Sequence, residues 1–356
     1  MKKLLALALV LMMVCSLIAC GQTKTTETTT TTTTTTTTDT ASQGKTEAAP
    51  AASEAKDYSK LSKSYVTSFA TGAQGGAFYN VGAGIASVVT ENVDGLTVGA
   101  ETSGGTTENL NLVGQKEAEF GFAAADIALD AYSSVNTFEG KGYDNLRFVM
   151  ATYSQPYQVI VLADSPIQTI SDLKGRKISV GPEGAPFTLT NFLRDAAGLV
   201  KGVDYDGQYL SHAQAATALG DGTIEAMVIS VGVPVSAVAE LATTKAIRLI
   251  SVTDEELANL QKASPMYVPR VIAAGTYKGV DYDVNTVEMP VLIVTNDDTP
   301  AEVVYNFIKA TLDNRETLVA INATAKAITP ENSVNAMVIP LHEGAEAYFK
   351  EAGLIK

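Results

Sequence analysis

From residue 65 onward, short runs of apolar and β-branched residues alternate with longer stretches whose apolar positions recur at helical spacing. Tyr65-Val66-Thr67-Ser68-Phe69-Ala70 reads as a strand. Gly72, Gly75 and Gly76 follow, and then Phe78, Val81, Ile85, Val88 and Val89 at the spacing of one helix face. Leu96–Glu101 is the next strand, Ser103-Gly104-Gly105 a turn, and residues 106–113 a short helix. Residues 120–125 are apolar without interruption and predict a buried strand, with Asp126 suited to cap the helix after it. Further strands are expected at 147–152, 158–163, 177–180, 226–229, 247–252 and 291–295. Strands regularly separated by helices predict an α/β protein with a largely parallel sheet covered by helices on both faces. So many strands fit two sheets with a cleft between them better than one sheet.

In such sheets ligands bind beyond the carboxyl ends of the strands. The unusual residues of this chain collect there: 71–76, Ser103-Gly104-Gly105-Thr106, Asp126, 181–188 and Gly232-Val233-Pro234. Glycine lets a backbone approach a ligand closely, and free amides at a helix start favour an anion such as a carboxylate. Each glycine loop taken alone is better read as a tight turn. Four of them, with Asp126, on one edge favour a shared cleft.

The first sixty residues follow a different pattern. Lys2 and Lys3 precede an apolar run from Leu4 to Ile18 broken only by Ser16, the length of a signal-peptide core and short for a membrane span. The run ends in Leu17-Ile18-Ala19-Cys20-Gly21, which resembles a bacterial lipobox, so residues 1–19 are expected to be removed and Cys20 lipidated. Residues 20–62 are expected to be a disordered tether. They contain an unbroken threonine run from Thr28 to Thr38 and no apolar periodicity. A flexible chain of that length spans about 35 Å. With Cys15 in the discarded segment, Cys20 is the one cysteine left, which removes disulfides and thiolate metal sites from the folded part. A net charge of −14 with no basic run after the signal argues against nucleic acid or anionic lipid as the ligand.

Several loops resemble the TAXI family of TRAP-transporter solute-binding subunits. Thr71-Gly72-Ala73-Gln74-Gly75-Gly76-Ala77-Phe78-Tyr79 is similar to the family's Gly-rich opening and aromatic pair. Thr102-Ser103-Gly104-Gly105-Thr106-Thr107-Glu108-Asn109-Leu110 is similar to its second turn. Leu173-Lys174-Gly175-Arg176-Lys177, Gly181-Pro182-Glu183-Gly184, Asp221-Gly222-Thr223-Ile224-Glu225-Ala226, Gly232-Val233-Pro234 and Pro340-Leu341-His342-Glu343-Gly344 follow in family order. The resemblance implies a two-lobed periplasmic-binding-protein type II fold that closes by a hinge. One lobe would comprise residues 63–156 and 268–356, the other 157–267. It also implies a glutamate-, glutamine- or 2-oxoglutarate-like solute, handed to a membrane permease. Two departures stand out. Ala124-Ala125-Asp126 keeps only the aspartate of the usual Gln-Ser-Asp, and Gly184-Ala185-Pro186-Phe187-Thr188 replaces Gly-Ser-Gly-Thr. Both suit a larger or less polar ligand.

Catalytic readings find little support. His212 and His342 are the only histidines, no Gly-x-Ser-x-Gly elbow occurs, and residues 71–76 lack a P-loop lysine and dinucleotide spacing. Neither an enzyme nor a cofactor is expected. Tyr79, Tyr132, Tyr153 and Tyr157 are cleft or core residues on equal terms. The site expected is Gly75, Gly76 and Tyr79 beside Ser103, Gly105, Thr106 and Asn109, with Asp126 at the third strand end. Gly184, Thr188 and Pro234 would face them from the second lobe. The alternatives are the same fold serving another transporter or an aromatic, pyrimidine-like solute, or a protein-binding sensor lipoprotein.

Overall fold

The structure is a computed structural model that describes residues 56–74, 76–182 and 186–356. Cys20, Gly75, Glu183 and Gly184 lie outside the described residues. The elements of the first half are β1 (Tyr65–Ala70), α1 (Ala77–Asn92), β2 (Leu96–Glu101), α2 (Thr106–Gly114), β3 (Phe120–Ala124), α3 (Ala125–Ser133) and β4 (Leu146–Leu162). Next come β5 (Lys177–Ser179), α4 (Pro186–Ala197), β6 (Asp206–Gln208), α5 (His212–Gly220), β7 (Ala226–Ser230), α6 (Ser236–Thr244), β8 (Ile247–Ile250) and α7 (Asp254–Ala263). The chain ends with β9 (Val268–Ile272), β10 (Val284–Asn296), α8 (Ala301–Asp313), α9 (Arg315–Ile321), α10 (Pro330–Ser333) and α11 (Glu343–Glu351).

The strands run in the order β2-β1-β3-β10-β4-β7-β5-β6, with β8 also beside β4 and β9 beside β10. β4 divides this path into two lobes. Up to Pro156 it pairs with β10, and from Tyr157 it pairs with β7 on one edge and β8 on the other. The architecture is therefore α/β and two-lobed, as the strand rhythm implied. The expectation of a largely parallel sheet holds only within each lobe. β1 is parallel to β2 and β3, and β5 to β6 and β7, whereas every ladder of β4 and β10 is antiparallel.

Residues 147–152 and 158–163 were expected as separate strands and instead belong to one of 17 residues. Ser154, Gln155 and Pro156 interrupt the apolar pattern because this stretch passes between two lobe cores. β10 hides its length for a similar reason. Its Pro290 has no N–H to give to a ladder, and the register with β4 shifts between Pro290 and Leu292. β9 carries no apolar alternation, since its first four residues are exposed along an edge.

One core cluster fills the first lobe and continues beneath α4 and α7 of the second. A smaller one packs under α5 and α6. Helix α8 belongs to the first, because Val303, Val304, Phe307 and Ile308 line one face at helical spacing and are buried. Phe307 stacks on Phe120 of β3 with ring centroids 4.2 Å apart, fixing the helix across the sheet.

Candidate functional site

The loops after β1, β2 and β3 are tied to one another by side chains. Thr71 donates from its N–H and its hydroxyl to the Glu101 carbonyl, at 2.9 and 2.6 Å. The Asn109 amide, fully buried on α2, donates to the carbonyls of Thr71 and Phe122, each at 2.8 Å. Its Oδ1 accepts from the Ser103 hydroxyl at 2.5 Å, and that hydroxyl in turn accepts from the Gly105 N–H at 3.0 Å. The Thr106 hydroxyl accepts from the Ala124 N–H at 3.1 Å. Gly105 sits at φ 99°, a conformation that only glycine adopts without strain. The side chains of Ser103, Thr106 and Asn109, expected to hold a ligand, are thus engaged in holding the loops. Asn109 in particular is a positioning residue with its three polar contacts made.

Gly76 and Tyr79 are half-buried at the start of α1. Thr188 is half-buried in the first turn of α4, and Pro234 is exposed beyond β7 after a cis Val233–Pro234 bond. None of the four lines the cavity at the crossing strands described below.

Asp126 differs from the expectation. Ala124 occupies the N-cap position of α3, and Asp126 falls in the first turn, 9% exposed. Neither of its carboxylate oxygens accepts a hydrogen bond. Burial pushes its carboxyl up to about 7, and the charges of Asp130 and Asp195 add to the rise. The amides of Ile127 and of Asp126 itself lie near enough to offset part of it, without hydrogen-bonding geometry.

Asp195 belongs to α4 of the second lobe, and α3 and α4 touch across the lobes. Beside them stands Tyr157 of β4, whose buried hydroxyl makes no hydrogen bond of good geometry although the Tyr267 hydroxyl lies near it, and whose ionisation is pushed far up, first by burial and then by the charges of Asp126 and Asp195, with Tyr267 offsetting part of the rise. Its ring stacks on Phe192 of α4 at 4.3 Å and lies 5.9 Å from that of Tyr267. The Tyr267 hydroxyl donates to Asp195 Oδ2 at 3.1 Å, and Arg194 Nε donates to Asp195 Oδ1 at 2.8 Å. The hydroxyl of Tyr153, four residues earlier on β4, is likewise buried without a partner.

A cavity of about 440 Å³ opens at the crossing strands and is lined from both lobes. Tyr153 and Ser154 come from β4, Gly232 and Val233 from the loop after β7, and Thr324 and Lys326 from the segment after α9. A Cβ added at Gly232 would stand 3.4 Å from Thr324 Oγ1, so the lobes nearly meet there. Arg270 and Glu288 also line it and pair loosely at 3.7 Å, while Lys326 makes no ion pair among the described residues. Ser154, Arg270 and Lys326 carried no motif in the sequence. The one signal was the break in apolar character at residues 154–156 inside a strand-like run.

Among the described residues no group of three or more His, Cys, Asp or Glu side chains is placed to hold a metal ion. His342 is buried and caps α11, its Nδ1 accepting from the Gly344 N–H at 3.1 Å, and burial lowers its basicity. His212 is lowered in the same way at the start of α5.

Among solved structures, the chain is similar to the periplasmic aliphatic sulphonate-binding protein SsuA of Escherichia coli. Identity is 15% and the TM-score 0.43 over 82% of this chain and 84% of that one. It is also similar to a TctC solute-binding protein from Polaromonas, at 15% identity and a TM-score of 0.45 over 82% of this chain and 98% of the other. The alkanesulfonate-binding SsuA of Xanthomonas axonopodis pv. citri, solved with MOPS, matches at 14% and 0.44 over 83% and 96% of the two chains. The model of one protein family matches residues 69–353, a span running from β1 to the end of α11 and taking in both lobes. On that match, over well more than half its length, the chain belongs to the NMT1-like family.

Proposed function

We propose that this protein is an extracytoplasmic solute-binding lipoprotein, anchored through Cys20, that captures a small carboxylated solute between its lobes. The solute then passes to a membrane permease, for which the loop resemblances favour the TRAP type with a TAXI-like subunit. The observation that carries the reading is the crossing of β4 from one lobe sheet to the other, with buried, unpartnered polar groups and a two-sided cavity at the crossing. A ligand touching both lobes favours the arrangement in which they meet, by its differential affinity, and no bond is made or broken.

Lys326 gives the cavity local positive charge, since Glu288 balances Arg270 there, and this supports a carboxylate in an otherwise acidic chain. Main-chain amides near Gly75, Gly76 and Gly184 are the further carboxylate donors in this reading, with Tyr79, Thr188 and Pro234 shaping the walls. Thermal unfolding of the full chain against small carboxylates and amino acids tests it. A solute at about a hundred times its dissociation constant stabilises by roughly 2.7 kcal/mol, a rise of a few degrees. No rise with any glutamate-like acid would remove the carboxylate reading.

A further inference from the structure

We propose that the short 3-10 turn Ala323–Ala327 is a clasp that meets Gly232 of the second lobe as the lobes close and seals the cavity at the crossing strands. The clasp rests on the reading above for the solute it encloses. Gly232 and Thr324 are half-buried on the walls of that cavity, one from each lobe. Gly232 has no positive φ, so its backbone does not call for glycine. What glycine supplies here is room. A Cβ at 232 would stand 3.4 Å from Thr324 Oγ1, and among the described residues no other heavy atom outside its chain neighbours comes within 4 Å. A side chain at 232 would therefore meet the turn from the other lobe before anything in its own.

The two sides of this seam are held differently. The Gly232 loop is fixed to β4 by buried side chains. Gln158 donates to the Val231 carbonyl at 3.2 Å and accepts from the Tyr277 hydroxyl at 2.6 Å, and that hydroxyl accepts from the Val235 N–H at 3.0 Å. Side-chain hydrogen bonds tie the turn at its two ends. Asn322 Oδ1 accepts from the Thr324 N–H at 2.9 Å, and the Asn332 amide donates to the carbonyls of Ala327 at 3.0 Å and Thr152 at 2.7 Å. Behind the turn lies a second cavity of about 300 Å³, lined by Arg315 and Val319 of α9 and by Ala325, Lys326 and Ile328. One turn of chain is thus the wall between two cavities, and Lys326 lines both. Space on each side lets the wall shift with little repacking, as a clasp requires, and the Lys326 ammonium moves with it.

The test joins the two sides. In a full chain with Cys15 and Cys20 changed to serine, Gly232→Cys and Thr324→Cys place two sulfurs across the seam, within the reach of a disulfide. Mild oxidation with diamide should consume both thiols. With no solute present, amide exchange at α3 and α4, the other contact between the lobes, should be slower in the oxidised form by about tenfold or more than in the same protein reduced. Uptake of L-glutamate or 2-oxoglutarate should slow by a similar factor and recover on reduction. Gly232→Leu, which holds the turn off by bulk, should weaken binding of the same acids by about tenfold or more, and Gly232→Ala by less than about twofold. Thiols that survive oxidation together with unchanged binding in Gly232→Leu, or equal exchange in the two redox states, would overturn the clasp. Exchange that responds to the disulfide while no acid binds either form or the wild type keeps the clasp and removes the carboxylate reading.

Discussion

At the scale of single residues, Asp126 carries the most consequence. Its carboxyl titrates near 7 in the folded chain against 3.8 in the unfolded one. Below about pH 4 both states hold the proton and the group does not affect stability. Between about pH 4 and 7 only the unfolded chain gives it up, so stability falls with rising pH by roughly 1.4 kcal/mol per unit and then levels off. Asp130, Asp195 and Arg194 face the same spot, so the variant Asp126→Asn isolates the effect. Its melting point should be flatter over that window and higher than wild type at pH 8. A parallel curve would mean that Asp126 is ionised in the fold.

Asn109 makes the opposite case. Replacing it with alanine strands the buried carbonyls of Thr71 and Phe122 and should cost about 2–3 kcal/mol in urea unfolding. A loss below about 0.5 kcal/mol would contradict its positioning role. The sequence flagged Asp126 by its place at a strand end and Asn109 by the motif after β2, but gave no sign of which was committed to the scaffold. That depends on contacts between α2, β1 and β3, which lie far apart along the chain.

At the scale of elements, three-residue β6, with no buried residue, escaped the reading, whereas α1, β1, β2 and β3 were legible from their apolar patterns. The strands that join the lobes were not. β4 and β10 pass from one environment to another, so their apolar runs break at 154–156 and at Pro290, where no single core faces them. The site suffers from the same blindness, because the Tyr153 and Tyr157 hydroxyls belong to that stretch. Packing between elements also hides in single glycines. A Cβ at Gly344 of α11 would fall 2.1 Å from the Ala301 carbonyl oxygen of α8. Gly344→Ala should therefore cost about 1–3 kcal/mol. Gly99→Ala in β2, where the nearest atom is 3.8 Å away, should cost less than about 0.5 kcal/mol in the same urea series. Equal losses at both positions would contradict the close approach of α8 and α11.

At the scale of the whole molecule, the account is of two lobes that share β4 and β10, touch through α3 and α4, and leave a cavity on the crossing. A ligand held from both sides changes how often the lobes meet, and closure is the event a permease is able to read. The direct measurement is energy transfer between dyes at Val66→Cys in the first lobe and Val203→Cys in the second. Both positions are about four-fifths exposed (82% and 81%). Cys15 and Cys20 would be changed to serine, and L-glutamate titrated in. The account predicts a saturable shift in transfer as the solute binds. A distribution that stays the same at every concentration of glutamate, glutamine and 2-oxoglutarate would contradict closure around a small solute of that class.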